Sequence, residues 1–362
     1  MSPLTILILA FFLLGALDLL LGNRLGVGRE FERAFALFAP MALSMLGMIV
    51  IAPAIGVWLT PLFDGFYRVF GLDPSILPAS LLANDMGGMA LAEAIARSEE
   101  IGTYNAFIVA SMMGCLISFT LPFSLGLVKK EQHRELFVGI LAGIATIPLG
   151  SFVGGLLMGI SPLSLLLDLL PLLALGILVS LGLRFARGVC IACFSAFGRL
   201  MRLLSILGLV LAVFTFLTGR VVSPHFESFE SAAFICANAC VTLAGALPFM
   251  HLLTKLLRRP LSRLGAALGI NAISALAFLG TLVTNASTFG MAERMDKRGM
   301  VLNSAFAVSA SFVFGSHLAF TTVFCREAVV PMIVGKLTSG LCAVALALLI
   351  TRRETKEETE PC

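Results

Sequence analysis

The sequence predicts an all-α polytopic membrane protein made of two inverted structural repeats, and three observations carry that prediction. Of its 362 residues, 59% are hydrophobic and 13% charged, more apolar surface than a water-soluble chain of this size can bury. Apolar runs of roughly 20 residues recur along the whole chain, each long enough to cross about 30 Å of hydrocarbon. The two halves also match in order. "LSMLGMIVIAPAIGVWLTPL" (43–62) pairs with "LAGALPFMHLLTKL" (243–256), "GLDPS" (71–75) with "GINAIS" (269–274), and "AND" (83–85) with "VTNAS" (283–287). "NAFIVAS" (105–111) pairs with "NSAFAVSAS" (303–311) and "AGIAT" (142–146) with "VGKLT" (334–338). Each match is weak alone. Their common order and near-constant offset mark a duplication.

The predicted apolar segments are 4–22, 34–62, 72–95, 104–128, 137–160, 163–183, 200–219, 231–257, 266–292, 301–324 and 329–350. The first lacks a preceding basic residue and a small-x-small cleavage site and contains Asp18, so it reads as a retained helix rather than a signal peptide. Segments 72–95 and 266–292 occupy equivalent places and are dense in Gly, Asn, Ser, Thr or Pro near their middles. Positive charge decides whether they cross. With Arg184, Arg187, Arg199 and Arg202 inside, two crossings put 13 Lys/Arg inside and 11 outside; two re-entrant segments put 20 inside and leave Arg68, Arg97, Arg220 and Arg326 outside. The second arrangement satisfies the positive-inside bias.

Each half then has four transmembrane helices and a re-entrant broken hairpin, and 163–183 is a linking helix that inverts the second half. The expected division is 1–160, first repeat; 161–199, linking helix and basic cytoplasmic loop; 200–350, second repeat; and 351–362, a disordered cytoplasmic tail. The N-terminus is expected outside and the C-terminus inside. Trp58, Tyr67 and Tyr104 fall near the outer face as interfacial anchors. Inverted repeats with broken intramembrane segments are the architecture of secondary transporters that bind substrate near the midplane.

The net charge of +4 does not point to nucleic acid, because the basic residues lie between apolar runs. The eight cysteines include Cys190-x-x-Cys193 and the pair Cys236 and Cys240. Without a second CxxC or clustered His they read as packing residues, and no metal site is expected. No HExxH, GxSxG, P-loop or GxGxxG motif appears, so the residues do not suggest an enzyme. The four His residues, at 133, 225, 251 and 317, are scattered.

The candidate site starts at Asp85. Asp73-Pro74 caps a short helix predicted to reach about Ala83, Gly87-Gly88 allow a sharp turn, and "MALAEAIA" leads back out. A carboxylate at membrane depth costs about 3 kcal/mol on insertion scales. The helix end beside it adds unpaired carbonyls. Asn84, Asp85, Gly87 and Gly88 thus form a pocket suited to a small cation. The alternative for Asp85 is a cap, a hinge contact or a permanent pair with a buried base. In the second hairpin, Thr284, Asn285, Ser287 and Thr288 suit a substrate hydroxyl or amide, or else satisfy broken backbone. Lys336 and His317 are candidate counter-ion or proton-coupling groups, against a cap or structural role. Glu93, Asp18 and Asp168 carry less functional weight. One Trp and two Tyr do not make a cage for a quaternary ammonium, so a primary amine fits better.

"LLANDMGG" (81–88), "SMMG" (111–114), "LAGIATIPLG" (141–150), "MDKRGMVLNSAFAVSASF" (295–312) and "PMIVGKL" (331–337), with "FERAF" (31–35) before "MLGM" (45–48), resemble the ethanolamine transporter family of ethanolamine-utilisation operons, EutH. The resemblance covers nearly the whole chain. It implies a bacterial inner-membrane permease admitting ethanolamine for breakdown in the cytoplasm. The chain departs from the family pattern at Asn84, where a Cys is expected, at 284–287, where paired Asn followed by Ile-Pro is expected, and at Ser316, where an Asp is expected. The functional expectation is ethanolamine uptake by alternating access in the lipid bilayer, with no resident cofactor and with Na⁺ or H⁺ coupling left open. Homo-oligomers are compatible with it. The alternatives are a coupled transporter of another small amine or amino acid, and a membrane sensor or assembly subunit.

Overall fold

The computed structural model describes residues 3–357, and every regular element among them is helical. Among the described residues six helices are long and apolar enough to cross a bilayer: Glu99–Leu127, Lys130–Leu157, Pro162–Phe185, Arg187–Thr218, Phe229–Leu268 and Arg326–Thr351. Gly47–Trp58 and Thr60–Phe70 make a seventh if this pair, bent by 61°, is one span. Pro3–Leu20 is a further apolar helix of 18 residues, about 27 Å long. Outward faces are greasy. Along the Pro162–Phe185 helix Leu163, Leu166, Leu170, Leu173, Ile177 and Leu181 are exposed, whereas Leu165, Asp168, Leu169, Leu172 and Gly176 are buried. A continuous exposed apolar stripe of this kind is a surface for lipid. The chain is a multi-pass membrane protein.

The core is held by small residues and short polar bonds. The His133–Leu157 helix packs against Val329–Glu357 and Lys297–Ala310. There the Thr146 hydroxyl donates to the Ser339 carbonyl at 3.0 Å and the Ser339 hydroxyl to Ser309 at 2.7 Å. Hydroxyls at helix interfaces supply attraction that apolar contact alone does not give in lipid.

Segment 72–95 breaks near its middle as expected, but its first helix begins after Ser75 and stops at Leu81, short of the predicted Ala83. Asp73 Oδ1 accepts from the Ser75 amide at 3.0 Å, helix Ile76–Leu81 follows, and the chain extends at Leu82 and Ala83. After a single turn at Asn84–Met86, helix Gly88–Ile95 leads away. Asp73 Oδ2 also accepts from the amides of Arg97 and Ser98, both at 2.9 Å. The end of the segment therefore touches its beginning. The second segment, Ala272–Val283 and Asn285–Phe289, closes in the same way: Asp296 accepts from the Asn271 amide at 2.9 Å, and the Asn271 side chain donates to the Arg294 carbonyl at 2.9 Å.

Three expectations are corrected. Run 301–324 is not one helix; Lys297–Ala310 and Ser316–Phe324 are separated by a break. At the break Phe312 adopts φ 62°, and the amides of Phe312 and Phe314 donate to the carbonyls of Thr281 and Leu282. The second hairpin thus satisfies the backbone groups that the broken helix releases. The first-half stretch with which it pairs in sequence stays helical but widens to π geometry over Asn105–Gly114 and Leu116–Thr120. Residues 184–199, expected as a basic loop, are mostly helical, because Arg187–Thr218 starts immediately after Ala186. The tail expected from 351 begins as helix through Glu357; 358–362 lie outside the described residues.

Candidate functional site

Three backbone breaks meet at one place. In the first, the Ala83 carbonyl accepts from the amides of Met86 and Gly88 at 3.0 and 2.9 Å, and the Ala83 amide donates to the Ser118 hydroxyl at 3.0 Å. Gly87 makes the turn at φ +92°, a conformation that favours glycine. Asp85 is thereby held on a pinned turn. The second break is extended Thr284; the third is the Phe312–Gly315 stretch.

All three line a cavity of about 410 Å³. Ala83, Asp85 and Met86 come from the first break, Val283, Thr284 and Ala286 from the second, and Phe312, Gly315, Ser316 and His317 from the third. Met41, Met45, Cys115, Phe119, Leu243 and Leu247 give the remaining wall a mainly apolar character. Asp85 is the carboxylate on this wall.

A buried donor chain stands behind it. Lys336 is fully buried; its Nζ donates to the Ser111 carbonyl and lies 3.1 Å from His317 Nδ1. An ammonium has only donors, so Nδ1 is the acceptor and the ring proton sits on Nε2. Nε2 faces Asp85 Oδ1 at 3.7 Å, too long for a hydrogen bond but short for an electrostatic contact. Ser316 shares the cavity wall with the Asp85 carboxylate. Lys336 is thus one imidazole away from Asp85.

Of the residues singled out from sequence, Asp85, Thr284 and His317 line the cavity, and Lys336 lies directly behind His317. The others do not share that wall. Asn84 is buried beside Asp85 with neither amide atom bonded. Asn285 donates to Thr120 at 2.8 Å and accepts from Ser311 at 2.5 Å. Thr288 bonds Thr281 at 2.6 Å. Gly87 and Gly88 shape the turn. Ser287 lines a second cavity, of about 600 Å³, with His251, Thr254, Lys255, Arg258 and Met291. The two cavities share Arg33, Leu247 and Val283. Sequence reasoning missed Arg33, Cys115, Phe119 and Phe312; Gly315-Ser316 inside an apolar run was the one local signal of the third break.

These features define a class: a multi-pass membrane protein whose broken helices enclose a charged internal cavity. Within it, the chain belongs to the family described as Ethanolamine utilisation protein, EutH, whose model matches residues 2–350. It is 38% identical to a Listeria monocytogenes serotype 1/2a (strain 10403S) protein named "Probable ethanolamine permease EutH", over 97% of this chain and 94% of the relative. An Escherichia coli (strain K12) protein of the same name is 36% identical over 92% of this chain and 89% of its own. A Bacillus subtilis (strain 168) protein named "Uncharacterized protein YxeR" is 35% identical over 96% and 94%. No solved structure matches the chain.

Proposed function

We propose that this protein is a permease that carries protonated ethanolamine across the bacterial inner membrane and performs no chemical transformation on it. The observation that carries the proposal is Asp85: a carboxylate on a turn pinned inside a multi-pass protein, lining a largely apolar cavity, in a family whose curated relatives bear the name of ethanolamine permease. An ammonium ion needs its hydration replaced before it can leave water. Asp85 offers the charge, Thr284 and Ser316 offer hydroxyls for the substrate's own hydroxyl, and the methionine and phenylalanine wall accepts the two methylenes.

The proposed architecture is two inverted repeats, each with a re-entrant hairpin. Its support is that both hairpins return to their starting points through an aspartate, Asp73 in one and Asp296 in the other. The N-terminus then lies outside and the C-terminus inside. In this orientation the second cavity, lined by Arg33, Lys255 and Arg258, belongs to the cytoplasmic side by the positive-inside bias, which supports reading this conformation as inward-facing. Alternating access rocks the halves about the cavity.

The test is uptake of labelled ethanolamine into proteoliposomes containing the purified full chain. Saturable uptake, competed by small primary amines and poorly by choline, is expected. Uptake no greater than in protein-free vesicles refutes the proposal and favours a sensor or assembly role.

A further inference from the structure

Three carboxylates are buried among the described residues: Asp18, Asp85 and Asp168. Two have clear work. Asp18 accepts from the amides of Leu25 and Gly28 at 2.8 and 2.9 Å, closing the turn after the first helix. Asp85 lines the cavity. Asp168 does neither. It is the seventh residue of the Pro162–Phe185 helix, so it sits about 9 Å along that helix from its start. Its Oδ1 accepts from Asn105 Nδ2 at 3.2 Å, and its Oδ2 has no partner. No Lys or Arg among the described residues forms an ion pair with it.

The surrounding oxygens are equally bare. Asn105, Tyr104 and Ser151 are fully buried, and Asn105 Oδ1, the Tyr104 hydroxyl and the Ser151 hydroxyl all lack hydrogen bonds. Tyr104 precedes Asn105 in the chain, its hydroxyl neighbours that of Ser151, and it feels the charge of Asp168. Two of the bare atoms, Asp168 Oδ2 and Asn105 Oδ1, can only accept. Buried acceptors are paired in native proteins, and an exception calls for an absent donor or ion. Asp73, at the base of the first hairpin, adds negative potential nearby.

We propose that this cluster binds one sodium ion, with Asp168 and Asn105 as principal ligands and the Tyr104 and Ser151 hydroxyls completing the shell. The donors are all hard oxygens, which suit alkali and alkaline-earth cations rather than soft metals. A single carboxylate neutralises a single positive charge, so a monovalent ion leaves no buried excess. The site also has a mechanical connection. Asn105 Nδ2 donates at once to Asp168 and, at 3.0 Å, to Ser75 Oγ. Ser75 heads the helix at whose far end Asp85 stands. An ion here steadies the base of the hairpin that carries Asp85, which makes sodium a candidate coupling ion rather than a ligand of the substrate cavity.

The test is equilibrium binding of ²²Na⁺ to the purified full chain in detergent, at constant ionic strength balanced with choline chloride, with no ethanolamine present. Wild type and Asp85→Asn are expected to bind sodium saturably at one site, and Asp168→Asn to lose that binding. Absence of saturable binding in wild type, or its survival in Asp168→Asn, overturns the proposal, as does its loss in Asp85→Asn alone. If Asp168→Asn does not purify, Ser151→Ala serves, since that hydroxyl holds no bond; a severalfold weaker sodium affinity is expected and an unchanged one overturns the proposal. A melting temperature that responds to pH but not to sodium assigns the cluster to a proton, and also overturns it.

Discussion

Replacing Asp85 by Asn removes one charge while keeping the side chain's size, and the structure sets the scale of the loss. A carboxylate and an ammonium about 4 Å apart attract by about 4 kcal/mol at an effective dielectric of about 20. Stripping water from the ammonium offsets part of that, leaving about 1.5–3 kcal/mol for a charge-assisted hydrogen bond. Lys336 adds to the loss. With Asp85 neutral, the buried ammonium behind His317 repels an incoming cation that the carboxylate had shielded. The combined effect is about 2–4 kcal/mol, a roughly 30- to 700-fold rise in the half-saturation concentration for ethanolamine. The assay is initial-rate uptake into proteoliposomes, with melting temperature as the folding control. Asp85 anchors no backbone through its side chain beyond its own turn, so the variant is expected to fold. The double variant Asp85→Asn/Lys336→Met should recover part of the lost affinity, because it removes the unshielded charge. A half-saturation concentration within about threefold of wild type in Asp85→Asn refutes the assignment of Asp85 to the ammonium.

Three further outcomes are expected. Gly88→Ala should destabilise the protein by about 1–3 kcal/mol, because its Cβ would stand 2.6 Å from the Ala83 carbonyl, which two amides hold in place; an unchanged melting temperature contradicts the turn geometry. Leu72→Cys and Ser98→Cys should react with a membrane-impermeant maleimide from the same side, since Asp73 bonds both the Arg97 and Ser98 amides; labelling from opposite sides disproves re-entry. In a cysteine-free background Thr284→Cys should be alkylated more slowly when ethanolamine is present, while Thr288→Cys, bonded inside the hairpin at Thr281, should resist alkylation throughout; equal rates for Thr284→Cys with and without ethanolamine remove Thr284 from the site.

Much of the first hairpin was legible because its signals are local. Asp73-Pro74 form the turn that leads into helix Ile76–Leu81, Gly87 and Gly88 turn the chain after it, and a charge in an apolar run stands out whatever surrounds it. The break at Phe312 was not legible for the opposite reason. A bulky residue at φ 62° has no local preference for that conformation, and the hydrogen bonds that hold it come from Thr281 and Leu282 across the fold. The π-helical widening beside the first hairpin is likewise imposed by what packs there. The polar residues of the second hairpin show a further limit. Thr284 and Asn285 are adjacent and chemically alike, yet one faces the cavity and the other bonds Thr120 and Ser311. Both suit a ligand or a broken backbone, and only packing separates the roles. Lys336 was visible as a charge deep in an apolar run, but its neighbour could not be read from spacing: His317 lies 19 positions away.

Lys336 also bears on how a carrier lets go. A cavity with a bare carboxylate would hold an ammonium tightly, and a site that binds too well transports slowly. On the proposed reading, Asp85 is balanced in the empty state by Lys336 acting through His317, so the empty site carries little net charge. Ethanolamine must compete with that internal cation, and its arrival leaves one positive charge in excess within a low-dielectric interior. The bound state is raised in energy by this crowding and the empty state is lowered, and both effects favour release. The shared wall at Arg33, Leu247 and Val283 borders a cavity bearing Lys255 and Arg258, whose charges oppose rebinding of a cation from that side. Lys336→Met is then expected to lower the half-saturation concentration and the maximal uptake rate together. That split is distinct from the effect of a merely structural lysine, whose removal would lower folded yield without tightening binding.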